Sequence, residues 1–410
     1  MTAPQSPDGP RPGGPLSGIR VIDLSAVISG PFGTSILADQ GADVIMVEQA
    51  HAPELIRNAG PLAKDSGASA LFVAQNRNKR SIGLNLKCEA GKQLLKDMVK
   101  RADVLVQNFR PGAMDRLALG WDVLSAINDQ LIMCSVSGFG ASGQYSHRPA
   151  FDPIVQSVGS YPTVQADAAG VPKLVATAVC DKLTSLYVAQ SISAALVARA
   201  NGAGGQHIEL AMLDAGIHFL WPDGMQSCAL VNSDGAASPE TPGSAPFELY
   251  QTQDGWLMVF DVATDAHWQQ LCRALGREAL ASDPRFSTVD ARTAHRSEVT
   301  EQLREDAASY TTAKLLGLLD EIGIPAAPVN SRQSMIDDPH VNHRGIVVQT
   351  VHPSAGRIRQ VRPPVIFSKT PSGLRRHAPL FGEHTDEVLA EVLEKSVEDI
   401  AALRADAVVK

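Results

Sequence analysis

No Cys-x-x-Cys pair occurs in this chain. Its five cysteines, at positions 88, 134, 180, 228 and 272, are odd in number and widely scattered, so neither a disulfide framework nor a zinc knuckle is indicated. That usage fits a reducing cytoplasm, the expected location. No apolar run approaches the roughly 20 residues needed to span a bilayer, and the first fifteen residues lack the apolar core of a signal peptide. Rich in Pro and Gly, residues 1–15 are expected to form a disordered tail. Positive charge is in deficit: 36 Lys and Arg face 44 Asp and Glu, a formal net charge of −8. Nothing in that total favours counterion release from a nucleic acid, so an anionic ligand must be held by a local basic cluster. Also missing are a Walker loop, a G-x-S-x-G elbow, a metal-ligand cluster and a repeat of solenoid length.

What is present is an α/β pattern in a chain of 410 residues, long enough that two lobes are expected. From residue 16 the order is strand (18–24), glycine-containing loop, short helix (34–40) and strand (43–47) ending at Glu48. Further strands are expected at 82–86, 103–107, 131–136 and 206–210, and helices at 89–101 and 212–220. The small, polar, proline-rich stretch 231–246 reads as a linker, and 324–330 as the return linker. The expected domains are therefore 16–230, a smaller α+β lobe at 247–323, and 331–410 with a terminal helix at 386–404.

The candidate for chemistry is Asp181. It precedes a helical pattern, 182–200, without Gly or Pro, in which Leu183, Leu186, Tyr187, Ile192, Ala195, Leu196 and Arg199 recur at three- and four-residue steps until Asn201-Gly202 ends it. A carboxylate there can cap the first turn, and the same helix dipole holds it ionised, as a nucleophile or general base requires. The two roles are compatible. Arg77, Lys79, Arg80, Lys87, Arg110 and Arg116 flank strands and loops where such sheets bind ligands, so phosphates are expected among them, or else a solvated basic face. Residues 138–143 match G-x-G-x-x-G, but Pro149 and Pro153 break the helix which that fingerprint needs. His147 and Asp152 are one residue too far apart for an H-x-x-x-D acyltransferase site.

The segments LSGIRVIDLS, SGPFG, GADVIMVE, NRNKRSIGLNLK, ADVLVQNFRPGAMDRLALGWDVL, SVSGFGASG, RPAFDPIVQ, AVCDKL, GGQHIELAMLDA and IPAAPVN, in this order, resemble the class III coenzyme A transferases, the family of formyl-CoA and carnitine-CoA transferases and α-methylacyl-CoA racemases. The resemblance covers the chain from residue 16 onward. It implies a Rossmann-like large domain built from both chain ends, a smaller α+β domain, and an interlocked homodimer. It places the family's nucleophile on Asp181, with acyl-CoA and a carboxylic acid as substrates and no cofactor beyond coenzyme A as part of the substrate. The acyl group would pass through an aspartyl anhydride and an aspartyl-CoA thioester. Contacts to CoA would come from Ile28, Ser29, Leu84, Lys87, Asn108, Phe109, Arg110 and Arg116, with Lys87 and Arg116 meeting phosphate oxygens. Gln49 stands where relatives often carry a basic residue, and residues 242–246 lack the glycine-rich substrate loop of the formyl-CoA member.

A racemase of the same superfamily is the alternative reading. Its His-Asp pair falls on Phe151-Asp152, and Phe carries no proton, which favours transfer. A catalytically idle CoA-binding protein would keep the basic loops without needing Asp181. A thiolase-like enzyme would use a cysteine, and Cys180 adjoins Asp181.

Overall fold

The computed structural model describes residues 13–63, 68–167, 169–231, 248–259 and 264–410. Residues 1–12 of the expected tail and 232–246 of the expected linker lie outside that set. The chain divides into two compact units, Met1–Met225 with Gly345–Lys410, and Gln226–Arg344.

The larger unit is built on six parallel strands: β1 (Arg20–Asp23), β2 (Asp43–Gln49), β3 (Lys79–Leu84), β4 (Val104–Gln107), β5 (Ile132–Ser137) and β6 (Gln206–Ala211). Their order, β3-β2-β1-β4-β5-β6, is the doubly wound dinucleotide-fold order, which reverses between β1 and β4. Alternation along each strand feeds two cores. Ile22, Ile45, Ile82, Leu105 and Met133 face helix α2 (Glu89–Val99) and the C-terminal helices. Val21, Val44, Val104, Ile132 and Cys134 face α1 (Ser29–Asp39) and α4 (Val179–Ala198). Two further helices, α3 (Asp152–Val158) and α5 (Met212–Gly224), pack beside α4. Strands β1 to β5 are thus largely buried on both faces, as parallel sheets require, while the edge strand β6 is only half-buried.

Helix α1 starts five residues before the expected 34–40. SGPFG is its first turn rather than a loop, because Pro31 sits where the N–H would lack an intrahelical partner anyway. Gly33 then lets α1 meet α4 closely: a Cβ there would lie 2.8 Å from Val188 Cβ. The expected terminal helix is two helices, α6 (Thr385–Leu393) and α7 (Val397–Ala405), divided where Glu394 turns left-handed at φ 55° and Ser396 opens a capping box with Asp399.

Strand β3 begins three residues before the expected 82–86, and this overturns the phosphate reading of three basic residues. Arg77, Lys79 and Arg80 lie at the amino end of β3, away from the ligand-binding edge, and each is paired. Arg77 forks onto Asp39 at 2.7 Å, and Arg80 reaches Asp43 and Glu391 at 2.6 Å each. Lys79 is fully buried, its Nζ 2.9 Å from Asp23 Oδ2 and 2.8 Å from both Pro31 O and Asn76 Oδ1. Burial pushes the Lys79 ammonium below its ordinary pKa, and the Asp23 charge opposes that shift.

The smaller unit carries an antiparallel sheet of β7 (Glu248–Gln251), β8 (Trp256–Val259) and β9 (Ala326–Pro328) over a core that includes Tyr250, Leu257, Trp268, Phe286 and Leu319. Residues 326–328 were expected within the return linker. As an edge strand, β9 tolerates the proline that made the stretch read as a connector. Back in the larger unit, β10 (Val347–His352) and β11 (Gly356–Val361) form a hairpin.

Lys79→Met removes one partner of a buried ion pair and strands the Asp23 charge, so a loss of about 3–5 kcal/mol is expected in urea denaturation. A loss below about 1 kcal/mol would contradict the role given to this pair.

Candidate active site

Asp181 is the third residue of α4, not its cap. The capping position is Ala178, which offers no side-chain acceptor. The Asp181 N–H instead donates to Asp152 Oδ2 at 3.0 Å, so a carboxylate from α3 caps the helix. Gln156, one turn along α3, donates to Asp152 Oδ1 at 2.5 Å and to the carbonyls of Val175 and Thr177 at 3.3 and 3.2 Å, while its own oxygen accepts from Val175 N–H at 3.0 Å. This clamp ties the approach to α4 onto α3 and frees the Asp181 side chain from capping duty.

That side chain turns toward α1. Ser29, the first residue of α1, faces it, and its hydroxyl and backbone N–H favour the charged carboxylate. Ser185, one turn below Asp181, bonds Ser29 O at 2.8 Å and Asp181 O at 2.9 Å, fastening the two helix starts together. The carboxylate therefore sits at the positive end of α1 as well as in the first turn of α4. With Asp181 only 7% exposed, burial raises its pKa and the Asp152 charge raises it further, while the two Ser29 donors pull it down; the balance pushes it up to about 6. At pH 7 about nine-tenths of the population is ionised. The anion is present, but poorly solvated. Neighbouring Cys180 is fully buried and its thiol is pushed up to about 12, chiefly by that burial, which disfavours the thiolate that the thiolase-like reading needs.

Ser29 ends the loop that follows β1, and the start of that loop lines a groove of about 310 Å³ at the carboxyl ends of β1 to β4. Leu24, Ala26, Met46, Leu84, Leu86 and Phe109 give it an apolar floor, with Glu48, Gln49, Glu54 and Lys87 along it. The groove lies at the order reversal, where sheets of this type take ligands. A second cavity of about 330 Å³ opens over β4, β5 and β6, lined by Arg110, Trp121, Ser135, His207 and Glu209 among others, and Phe109 borders both.

The expected contact residues separate accordingly. Leu84, Lys87 and Phe109 line the groove, and Ser29 touches Asp181. Ile28 caps α1 and accepts from Phe32 N–H at 2.9 Å. Arg110 lines the second cavity, and Arg116, exposed at the end of a single helical turn, lines neither. The Asn108 amide is engaged by the backbone of Ala26, accepting from its N–H at 2.8 Å and donating to its carbonyl at 2.7 Å. Asn108 therefore shapes the loop. The glycine stretch 138–143 starts no helix; Gly140 and Gly143 turn at φ 88° and 90°. Gln156, Ser185 and Glu54 were missed by sequence reasoning. Gln156 and Ser185 left a signal, their i+4 spacing from Asp152 and Asp181.

Among the described residues no helix is long and apolar enough to cross a membrane, and no group of three or more His, Cys, Asp or Glu could hold a metal ion. All five cysteines are free thiols.

Comparison with known proteins identifies the family. The family model for CoA-transferase family III matches residues 16–385. A succinate–glutarate CoA-transferase of Agrobacterium fabrum is 35% identical over 92% of this chain and 96% of its own length. The beta subunit of a succinyl-CoA–L-malate CoA-transferase from Chloroflexus aurantiacus is 36% identical over 96% of this chain and 98% of its own. Among solved structures, a CAIB/BAIF family protein from Brucella suis superposes with a TM-score of 0.81 at 32% identity, covering 93% of this chain and all of that one. With a family match over residues 16–385 and relatives about 35% identical over most of the chain, this chain belongs to CoA-transferase family III, enzymes that move CoA between an acyl-CoA and an acid.

Proposed function

We propose that Asp181 is the nucleophile of this CoA-transferase. The observation that carries the reading is the geometry of its carboxylate: buried, released from helix capping by Asp152, and met by two Ser29 donors. A carboxylate is a weak nucleophile, so it suits an already activated acyl group such as a thioester. One Asp181 oxygen attacks the thioester carbonyl, the C–S bond breaks, and an acyl–aspartyl anhydride forms with CoA thiolate. The thiolate attacks the aspartyl carbonyl, giving an aspartyl-CoA thioester and releasing the donor acid. The acceptor carboxylate then displaces the thiolate, and the thiolate returns to the acceptor's acyl carbon and regenerates the Asp181 carboxylate. Each step exchanges one acyl bond for another, so no energy source is consumed.

The groove lined by the start of the loop that leads to Ser29 is the proposed CoA site. Lys87 at its rim supplies a cation for phosphate, with Arg110 and Arg116 on the neighbouring loop; Leu84, Phe109 and Ile28 give apolar contact, and Asn108 holds the loop that ends at Ser29. The two relatives described above act on dicarboxylates, so succinyl-CoA with dicarboxylic acceptors is the first substrate pair to assay here. Epimerisation has no comparable support. Phe151 stands where a proton-carrying histidine is needed, and it is 60% exposed.

We also propose that the working form is a homodimer in which a second copy covers an apolar face on α3, α4 and α5. Phe151, Ile154, Leu186, Phe219 and Trp221 are exposed on or at the ends of these helices, apolar surface that a second copy would take out of water. Light scattering at micromolar concentration should give twice the chain mass, and an active monomer would refute it.

Asp181→Asn is expected to reduce transfer by several orders of magnitude while folding normally. Because burial raises the Asp181 pKa from 3.8 to about 6, the ionised carboxylate is destabilising at pH 7 by about 3 kcal/mol. The sign follows: its contribution to stability falls as pH rises from the unfolded value through the folded one, and the neutral amide lacks that penalty. The variant should match or exceed wild type in urea denaturation. In the wild type, transfer should fail as pH drops through about 6, where the carboxylate takes up its proton. A variant that transfers CoA near the wild-type rate would refute the proposed nucleophile.

A further inference from the structure

Val27 lies at φ 70°, in the left-handed region where a β-branched residue is a true outlier and stays only if its surroundings hold it. Both of its backbone polar groups are held by side chains from outside the loop. Its N–H donates to Glu54 Oε1 at 2.8 Å, and its carbonyl accepts from Gln75 Nε2 at 2.5 Å. The other Glu54 oxygen accepts from Ile56 N–H at 2.7 Å, so one carboxylate joins two segments. Two residues beyond Val27, Ser29 opens α1 and faces Asp181, to which Ser185 ties it by bonding the backbone carbonyls of both.

We propose that Glu54 is a positioning residue for Asp181: it holds Val27 in the left-handed conformation that turns the chain into α1 and aims the Ser29 hydroxyl and N–H at the Asp181 carboxylate. The catalytic meaning of this rests on Asp181 being the nucleophile proposed above. The role needs an acceptor on both sides and no donor, which an ionised carboxylate provides and an amide does not. Glu54 is buried, and the charges of Glu48, Arg57 and Lys79 act on it or are acted on by it. Burial, the largest influence, leaves its pKa raised overall, and the Val27 and Ile56 N–H groups oppose that rise by bonding the charged form that the role requires. Asn108 secures Ala26 independently, which leaves Val27 as the position where Glu54 decides the path of the chain.

The test reads Asp181 directly in the substrate-free protein, by carbon NMR titration of labelled aspartate, in wild type, Glu54→Gln and Glu54→Gln with Val27→Gly. In Glu54→Gln one of the two N–H groups loses its acceptor, Ser29 shifts, and the Asp181 midpoint should rise by about half a pH unit or more, with transfer at pH 7 falling about tenfold. Glycine adopts φ 70° without help, so the added Val27→Gly should return both quantities toward wild type. General loosening of the fold would give no such rescue. An unmoved Asp181 midpoint in folded Glu54→Gln, or a shift that glycine fails to reverse, overturns the proposal. Should Glu54→Gln not fold, Gln75→Met releases the other side of Val27 and must show a smaller rise of the same sign; no rise there overturns it equally. Since the midpoint is read without turnover, normal transfer by Asp181→Asn would remove the nucleophile reading and leave this result standing.

Discussion

The Asp181 carboxylate is held between burial, which favours its neutral form, and the two donors of Ser29, which favour its charge. Most of the larger unit can be understood as the means of keeping that balance. Ser29 is in place because α1 begins there, and α1 begins there because Pro31 suits a first turn and Gly33 allows the approach to Val188. The base of α1 is pinned by Asp23, which accepts from Lys79, Thr34 and Ser25 within a region closed to solvent. The Asp181 backbone is fixed separately, through Asp152 and Gln156. Two helix starts converge on one carboxylate, each secured by a buried acid of its own. A carboxylate held this way is less stable in the fold than in water, a strain on stability typical of a reacting group.

Charge in this protein is used mainly for architecture near the sheet. Of the basic residues around β3, Arg77, Lys79 and Arg80 pair with Asp39, Asp23 and Asp43, and Arg57 forks onto Glu48 at 2.7 Å through each of two nitrogens. Lys87, just past the carboxyl end of β3, is exposed and faces the groove. Position along the strand decides the role: a cation at the amino end completes the fold, and one beyond the carboxyl end is left facing the groove.

Much of this was legible in the residues. Apolar alternation placed the six strands, and the unbroken 182–200 pattern located α4 within three residues of its observed start. The switch-point groove followed from the order of elements, and Asp181 stood out as an acid at a helix start. What the sequence hid was partnership across distance. Nothing local shows that Asp152 caps α4, that Asn108 binds Ala26, or that Lys79 lies buried against Asp23, since each pair joins residues 29 to 82 positions apart. Prolines misled at two places. Pro31 sits in a helix first turn and Pro328 in an edge strand, two settings where a missing N–H does no harm.

The central claim is that Asp181 becomes covalently acylated during transfer, and trapping that intermediate tests it most directly. The anhydride and the aspartyl-CoA thioester both react with hydroxylamine, which would convert the side chain to a hydroxamate that peptide mass spectrometry can locate. Incubation with succinyl-CoA and hydroxylamine should label residue 181, the label should depend on the thioester substrate, and Asp181→Asn should carry none. Steady transfer with no substrate-dependent label at Asp181, or with the label on another carboxylate, would contradict the account.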